Sequence, residues 1–433
     1  MKSRWFAGKL FSLLSLLLYS FAFADDIPKN VSFTTAAITP FAIEGLTMDA
    51  TGNFYTTGRA PTGQKCPVWR IAPNGQRKTV GFIPAGCGAS GITFDSLGNL
   101  YISDSASGGV IRKVKPDPVG CASDDSGSPL CSAIPNSTDY ATGVPGTNGL
   151  AFDRDDNLWT GDGTTGLGRV WKIAPGGGAC EPTFVGCDEA FRIQPMRNGT
   201  ALGGSINTIP TSAEPTQGVG RQARTFPHTA AGGNPQDLVA NGVAFNKEGD
   251  LFVADTARGA IWKVEFDKKK GTIKSKMGCD STFPADTLCL NNIFVQHSLL
   301  EGTDGIALDD KDNIWNDANE RNAVVVVSKN GEVTEVFRNP VNSTTGIGLR
   351  NAGDQSVGNN HILELPTSPF LLGKQFCTAN SDGNRRDNFP QSGGEINAGA
   401  AFVSPPGTDP GNRGKISCMD QDLKVPGLKL PVH

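Results

Sequence analysis

Histidine is scarce in this chain, with four in 433 residues, and only 19% of the residues are charged. No two of the ten cysteines stand at CxxC spacing, so with so few histidines a zinc centre is not indicated. Beyond the amino-terminal segment no stretch is apolar enough to span a bilayer. Once Lys2, Arg4 and Lys9 of that segment are set aside, 36 basic residues face 43 acidic ones, a formal charge of −7. That balance argues against a nucleic-acid groove and against attachment to an anionic membrane surface. Helical composition is also lacking: 54 Gly and 28 Pro belong to a turn-dense, all-β chain.

The amino terminus supplies the one long apolar run. Met1-Lys2-Ser3-Arg4 precedes apolar residues from Leu10 to Phe23, and Ala22-Phe23-Ala24 offers a small-x-small cleavage site. This pattern predicts a signal peptide over residues 1–24 and a mature chain that is secreted or periplasmic, without a membrane anchor. The cysteines fit that destination, because an even number in an exported chain favours disulfides. They fall into neighbouring couples, Cys66 with Cys87, Cys121 with Cys131, Cys180 with Cys187, Cys279 with Cys289 and Cys377 with Cys418. Spacing does not fix their connectivity. Each bond would add about 2–4 kcal/mol by constraining a loop.

One phrase recurs along the rest of the chain. It reads Gly45-Leu46-Thr47-Met48-Asp49 to Asn53-Phe54-Tyr55, Gly91 to Asp95 with Asn99-Leu100-Tyr101, and Gly149 to Asp153 with Asn157-Leu158-Trp159. It continues as Gly242-Val243-Ala244-Phe245-Asn246 with Asp250-Leu251-Phe252, and as Gly305 to Asp309 with Asn313-Ile314-Trp315. A degenerate sixth copy runs from Leu365 to Thr378. Each copy is a set of short strands with tight turns, and no copy can bury both its faces alone. Stacking such units radially solves that problem, so we expect a six-bladed β-propeller of four-stranded blades forming one domain from residue 25 to 433. The segment before Ile38 is expected to pair with the last blade and close the ring. Residues 176–237, rich in Pro, Gly, Thr and Ser, read as a long loop insertion between blades three and four.

The residue before each repeat glycine carries the chemical signal. That column is Glu44, Ser90, Asn148, Asn241 and Asp304, with Leu365 or Thr345 in the sixth copy. In a propeller, equivalent positions converge on the axis. Carboxylate and amide oxygens without His or Cys suit a hard cation, calcium first and magnesium or manganese less strictly. Taken singly, Asn-Gly, Asp-Gly and Glu-Gly are also ordinary turn dipeptides. Asp104, Asp162 and Asp255, at strand ends, read as turn-capping or inter-blade groups rather than ligands, and His297 as a loop or core residue. Trp69, Trp171 and Trp262 occupy one repeat position and read as blade-packing aromatics.

In their order, Glu44-Gly45, Asn148-Gly149, Asn241-Gly242 and Asp304-Gly305 resemble the regucalcin and gluconolactonase (SMP-30/gluconolactonase/LRE-like) family of six-bladed calcium-dependent lactonases. The resemblance covers most of Phe41 to Asn339. It implies that Glu44, Asn241 and Asp304 hold the metal, with Asn148 beside it contacting substrate or metal-bound water. The substrate-orienting arginine of the family has no counterpart near Asn148, where Gly146 and Thr147 stand. The implied activity is hydrolysis of a lactone or related ester by a monomer acting on a small molecule, with Asp304 as general base or nucleophile. Two other classes compete: a non-enzymatic ligand-binding or scaffold propeller of the NHL-repeat type, and a lyase of the streptogramin-opening kind, for which no basic catalytic group is identifiable.

Overall fold

Every blade is built from the period-two pattern of its repeat, and the computed structural model assembles them as six sheets, antiparallel but for one short parallel edge. It describes residues 27–28, 31–106, 108–122, 131, 133–163, 165–194, 240–256, 258–300, 302–319, 322–338, 362–363, 365–381 and 414–430. The expected signal peptide lies outside the described residues. Blade one comprises Thr47–Met48, Phe54–Thr57, Cys66–Ile71 and Arg77–Ile83. Blades two to five begin with the inner strands Ala89–Phe94, Thr147–Phe152, Ala240–Phe245 and Thr303–Leu308. Blade six orders Pro366–Leu372, Gln375–Asn380, Lys415–Met419 and then Phe33–Ile38 from the other end of the chain. The amino-terminal strand therefore closes the ring as expected, pairing Phe33 with Met419 and Ile38 with Lys415. The 3-10 turns include Leu290–Asn292 and Ser298–Leu300, and among the described residues no helix is long and apolar enough to cross a membrane.

The second strands Leu100–Asp104, Leu158–Asp162, Leu251–Asp255 and Ile314–Ala318 are buried at every residue, because neighbouring blades cover both of their faces. Third-strand Trp69, Trp171 and Trp262 are fully buried between blades. Each ring lies under a guanidinium, of Arg77, Arg169 and Arg258 respectively, at 5.2–5.4 Å from the centroid. The repeat aspartates form corner clips. Asp49 accepts from the Asn53 amide at 2.8 Å and the Tyr55 hydroxyl at 3.1 Å, and Asp153 from Asn157 and the Trp159 indole at 2.8 Å. In blade four the acceptor is Asn246, which takes the Asp250 backbone N–H, and the aromatic is Phe252, which has no polar hydrogen to offer.

All five cysteine couples are disulfides between sequence neighbours. Cys377 and Cys418 face each other across adjacent strands of blade six. The stretch expected as an insertion is shorter at its start. Cys187–Arg192 is the outer strand of blade three, and Gly178–Ala179 adds a parallel edge to blade two. Cys180–Cys187 closes the turn into that strand, which the local Pro and Gly content had hidden. Residues 195–237 lie outside the described residues.

At one end the central channel is apolar. Ile92, Leu150, Val243, Ile306 and Phe370 surround a cavity of about 100 Å³ that Leu428 of the carboxy-terminal tail closes. The tail is held by backbone bonds: Gly427 N–H donates to Gly373 O at 2.7 Å, Leu428 N–H to Leu308 O at 2.9 Å, and Asp310 N–H to Pro426 O at 2.8 Å. Leu428 is buried with Ile306, Leu308 and Phe245 in the largest apolar cluster.

Candidate functional site

The repeat glycines explain why the inner strands approach one another so closely. A Cβ on Gly45 would stand 2.2 Å from the carbonyl oxygen of Ser90, and one on Gly91 2.3 Å from that of Asn148. The series continues with Gly149 and Asn241 O at 2.8 Å, Gly242 and Asp304 O at 2.4 Å, and Gly305 and Thr367 O at 2.4 Å. No side chain fits at these five positions, so glycine is required for close approach rather than for an unusual φ. Thr367 Oγ1 donates to Glu44 O at 2.8 Å and completes the circle. The column residues thus stand on one ring, each backbone pressed on the glycine of the preceding blade. Thr367 is the sixth member, in place of the expected Leu365 or Thr345. The sequence hid it because Ser368 stands where the other copies have glycine.

Registers shift beside the column in blades two to five, between Ala89 and Ile92, Thr147 and Leu150, Ala240 and Val243, and Thr303 and Ile306. A bulge of this kind re-aims a side chain relative to the ladder. All six column residues are buried, Glu44 at 8% exposure being the most accessible.

A second column accompanies the first. It lies fifteen residues downstream in five blades, as Arg59, Ser105, Gly163, Thr256 and Asn319, and as Ser381 in blade six. A repeated backbone bond sets its position. Arg59 N–H donates to Ala42 O, Ser105 to Gly88 O, Gly163 to Gly146 O, Asn319 to Gly302 O and Ser381 to Leu365 O, at 2.8–3.1 Å. Side chains then meet within each blade. The Arg59 guanidinium forms an ion pair with Glu44. Asn241 Nδ2 donates to Thr256 Oγ1 at 3.1 Å, and Asn319 Nδ2 to Asp304 Oδ2 at 2.8 Å. Gly163 leaves room for Asn148, whose Nδ2 would lie 2.9 Å from an added Cβ. Sequence reading missed this column, although its constant spacing was available, because its side chains share no chemistry.

These contacts bear on cation binding. With its Nδ2 committed to Thr256, Asn241 presents Oδ1, which is buried and has no hydrogen-bond partner. A buried carbonyl oxygen without a donor is costly unless something electropositive meets it. Glu44 and Asp304 supply carboxylates on the same ring. Among the described residues no three His, Cys, Asp or Glu side chains gather as a metal cluster, so any cation here would rely on amide oxygens as well. The donor set therefore fits a hard cation.

The remaining acids have structural partners. Asp104 accepts from Gly88 N–H at 2.8 Å and Arg112 Nε at 3.0 Å, and Asp162 from Arg169 Nε at 2.9 Å. Burial of Asp162 raises its pKa, against the hydrogen bonds of Thr165 and Arg169, which lower it. Asp255 accepts from Arg258 at 2.7 Å and the Trp262 indole at 3.0 Å. His297 is exposed at the outer edge of blade four, where its Nδ1 accepts from Leu299 N–H at 3.1 Å. Asp317, at the seam of blades five and six, is different. It is fully buried, one carboxyl oxygen meets the Thr378 hydroxyl, and Oδ1 has no partner. Desolvation holds its pKa well above the ordinary 3.8.

Residues 230–354 match the family model described as SMP-30/Gluconolactonase/LRE-like region. That interval carries the inner strands of blades four and five, with Asn241 and Asp304, and bears out the resemblance read from the dipeptides. No curated protein sequence matches the chain. Among solved structures it is similar to the PQQ-bound aldose sugar dehydrogenase of Streptomyces coelicolor, at 15% identity over 91% of this chain and 100% of that one, with a TM-score of 0.50. Regucalcin of Agrobacterium tumefaciens str. C58, described as a calcium-binding protein, is 14% identical over 91% of this chain and 96% of that one, with a TM-score of 0.48. A luciferin-regenerating enzyme is 11% identical over 92% and 97%, with a TM-score of 0.49. At such identity the likeness to the dehydrogenase shows the fold alone.

Proposed function

We propose that this chain is an exported, cation-dependent hydrolase of lactones or related esters that works as a monomer. The observation that carries the reading is the ring that sets Glu44, Asn148, Asn241 and Asp304 around one axis, with Asn241 Oδ1 buried and unpartnered. The five disulfides support an oxidising destination. Glu44, Asn241 and Asp304 would hold the cation, calcium in preference to magnesium or manganese, because the donors are all oxygen. When bound, such an ion polarises a carbonyl and offsets the charge of the oxyanion.

The chain's own groups supply the rest. Thr256 fixes the Asn241 amide so that its oxygen points away from its hydrogen-bond partner. Asn319 orients the Asp304 carboxylate. Asp304 either takes the proton of an attacking water or attacks the carbonyl carbon itself. Asn148, unobstructed by a side chain at position 163, orients the substrate. The test is elemental analysis of the purified protein with a lactone panel, in the presence and absence of chelator. Cation-dependent turnover is expected; full turnover in chelator would overturn the reading, and absence of both cation and turnover would favour a ligand-binding propeller.

A further inference from the structure

Arg59 is the single charged member of the second column, and it sits on one of the two carboxylates of the first. Its placement is over-determined. The backbone N–H donates to Ala42 O at 2.8 Å, Nε donates to Ala89 O of the next blade at 2.9 Å, and the guanidinium pairs with Glu44. The Glu44 side chain is only 10% exposed, so its charge is poorly solvated and depends on this partner. The other column carboxylate, Asp304, receives a neutral amide at the same position of its repeat.

We propose that Arg59 is a built-in counter-cation that competes with a divalent ion for Glu44, so that cation binding at the ring is weakened by Arg59 and requires its guanidinium to withdraw from the carboxylate. This rests on the cation-dependent reading of the ring. Two cations sharing one partly buried carboxylate repel each other strongly at short range, whereas a lone carboxylate attracts either. In the same way Arg59 keeps Glu44 from being an uncompensated buried charge when no ion is bound. The arrangement makes the ring responsive to cation concentration rather than permanently loaded.

The experiment is calcium titration, by calorimetry and by calcium-dependent shift of the melting temperature, of chelator-treated wild type, Arg59→Gln and Arg59→Lys. Arg59→Gln is expected to bind calcium about tenfold or more tightly than wild type. Its melting temperature should rise further at a given calcium concentration, since a ligand that binds only the folded state stabilises it more the lower its Kd. Arg59→Lys keeps the charge and should stay near wild type. Glu44→Gln in the Arg59→Gln background should remove the gain. If Arg59→Gln does not fold, Arg59→Met, neutral and of similar length, serves in its place. Calcium binding that is equal or weaker in the neutral variant overturns the competition while leaving the cation reading standing. Binding in neither protein overturns both, and binding in the neutral variant alone is the strongest form of the expected result.

Discussion

The two ends of the central channel are made by the same inner strands, yet they are chemically opposite. Before the glycine stand Glu44, Ser90, Asn148, Asn241 and Asp304; after it stand Leu46, Ile92, Leu150, Val243 and Ile306. On one side of the glycine waist stand buried polar side chains, some paired within the blade and some not. On the other, an apolar cavity is sealed by Leu428. The lesson is a division of labour along each strand: the apolar end stabilises the ring by burial, and this relieves the polar end of any packing role. The polar end carries a cost of its own, since Asn241 Oδ1 and Asn319 Oδ1 are buried there without partners.

If this division holds, substitutions at the polar end change chemistry and those at the apolar end change stability. The largest effect is expected from Asp304→Asn, which keeps shape but removes a carboxylate. Lactone turnover should fall on the order of 10²–10⁴-fold while the melting temperature stays close to wild type. Equal turnover in the variant would break the assignment of the polar end. Gly242→Ala tests the waist between the ends. Its Cβ would meet Asp304 O at 2.4 Å and Gly305 Cα at 2.8 Å, both backbone. A loss of about 3 kcal/mol in urea unfolding is expected, together with lost turnover. Leu428→Ala probes the apolar end and should lower stability by about 2 kcal/mol while leaving turnover unchanged. A turnover loss as great as that of Asp304→Asn would show that the ends are not independent.

The smallest effect concerns pH. Asp317 has a folded-state pKa raised by burial, so the folded protein holds a proton that the unfolded chain releases above about pH 4. Its contribution to stability is full below the ordinary carboxylate value and declines as pH rises through the window up to its raised pKa. Asp317→Asn removes that penalty. The variant should melt a few degrees above wild type at pH 7, with the gap closing near pH 4. A gap that widens on acidification would mean that Asp317 is ionised in the folded state.

Much of this architecture was legible because it is local. Tight turns, glycine columns and neighbouring cysteines reflect contacts within one repeat or between adjacent ones, and a repeated unit states each contact several times. The outer strand Cys187–Arg192 was not legible, since its flanking Pro and Gly imitate a loop. Thr367 was missed because the sixth copy lacks the glycine that marks the others. The carboxy-terminal plug leaves no pattern at all: Leu428 is one leucine in Gly427-Leu428-Lys429-Leu430, and only its docking against Leu308 distinguishes it from the exposed Leu430.

By itself the sequence determined that the chain is a ring of six repeats closed by its own amino terminus, because period-two strands with one unsatisfied face have few other ways to hide their edges. It also determined which residues head the inner strands of the first five blades. The tertiary structure alone decided what those residues touch. Arg59 reaches Glu44, Thr256 turns the Asn241 amide, and Asn319 holds Asp304, through hydrogen bonds between residues fifteen apart on strands that meet only once the blade has folded. A column of unlike side chains has no periodic signature in composition or hydropathy; its order lies in the geometry that brings each to its partner.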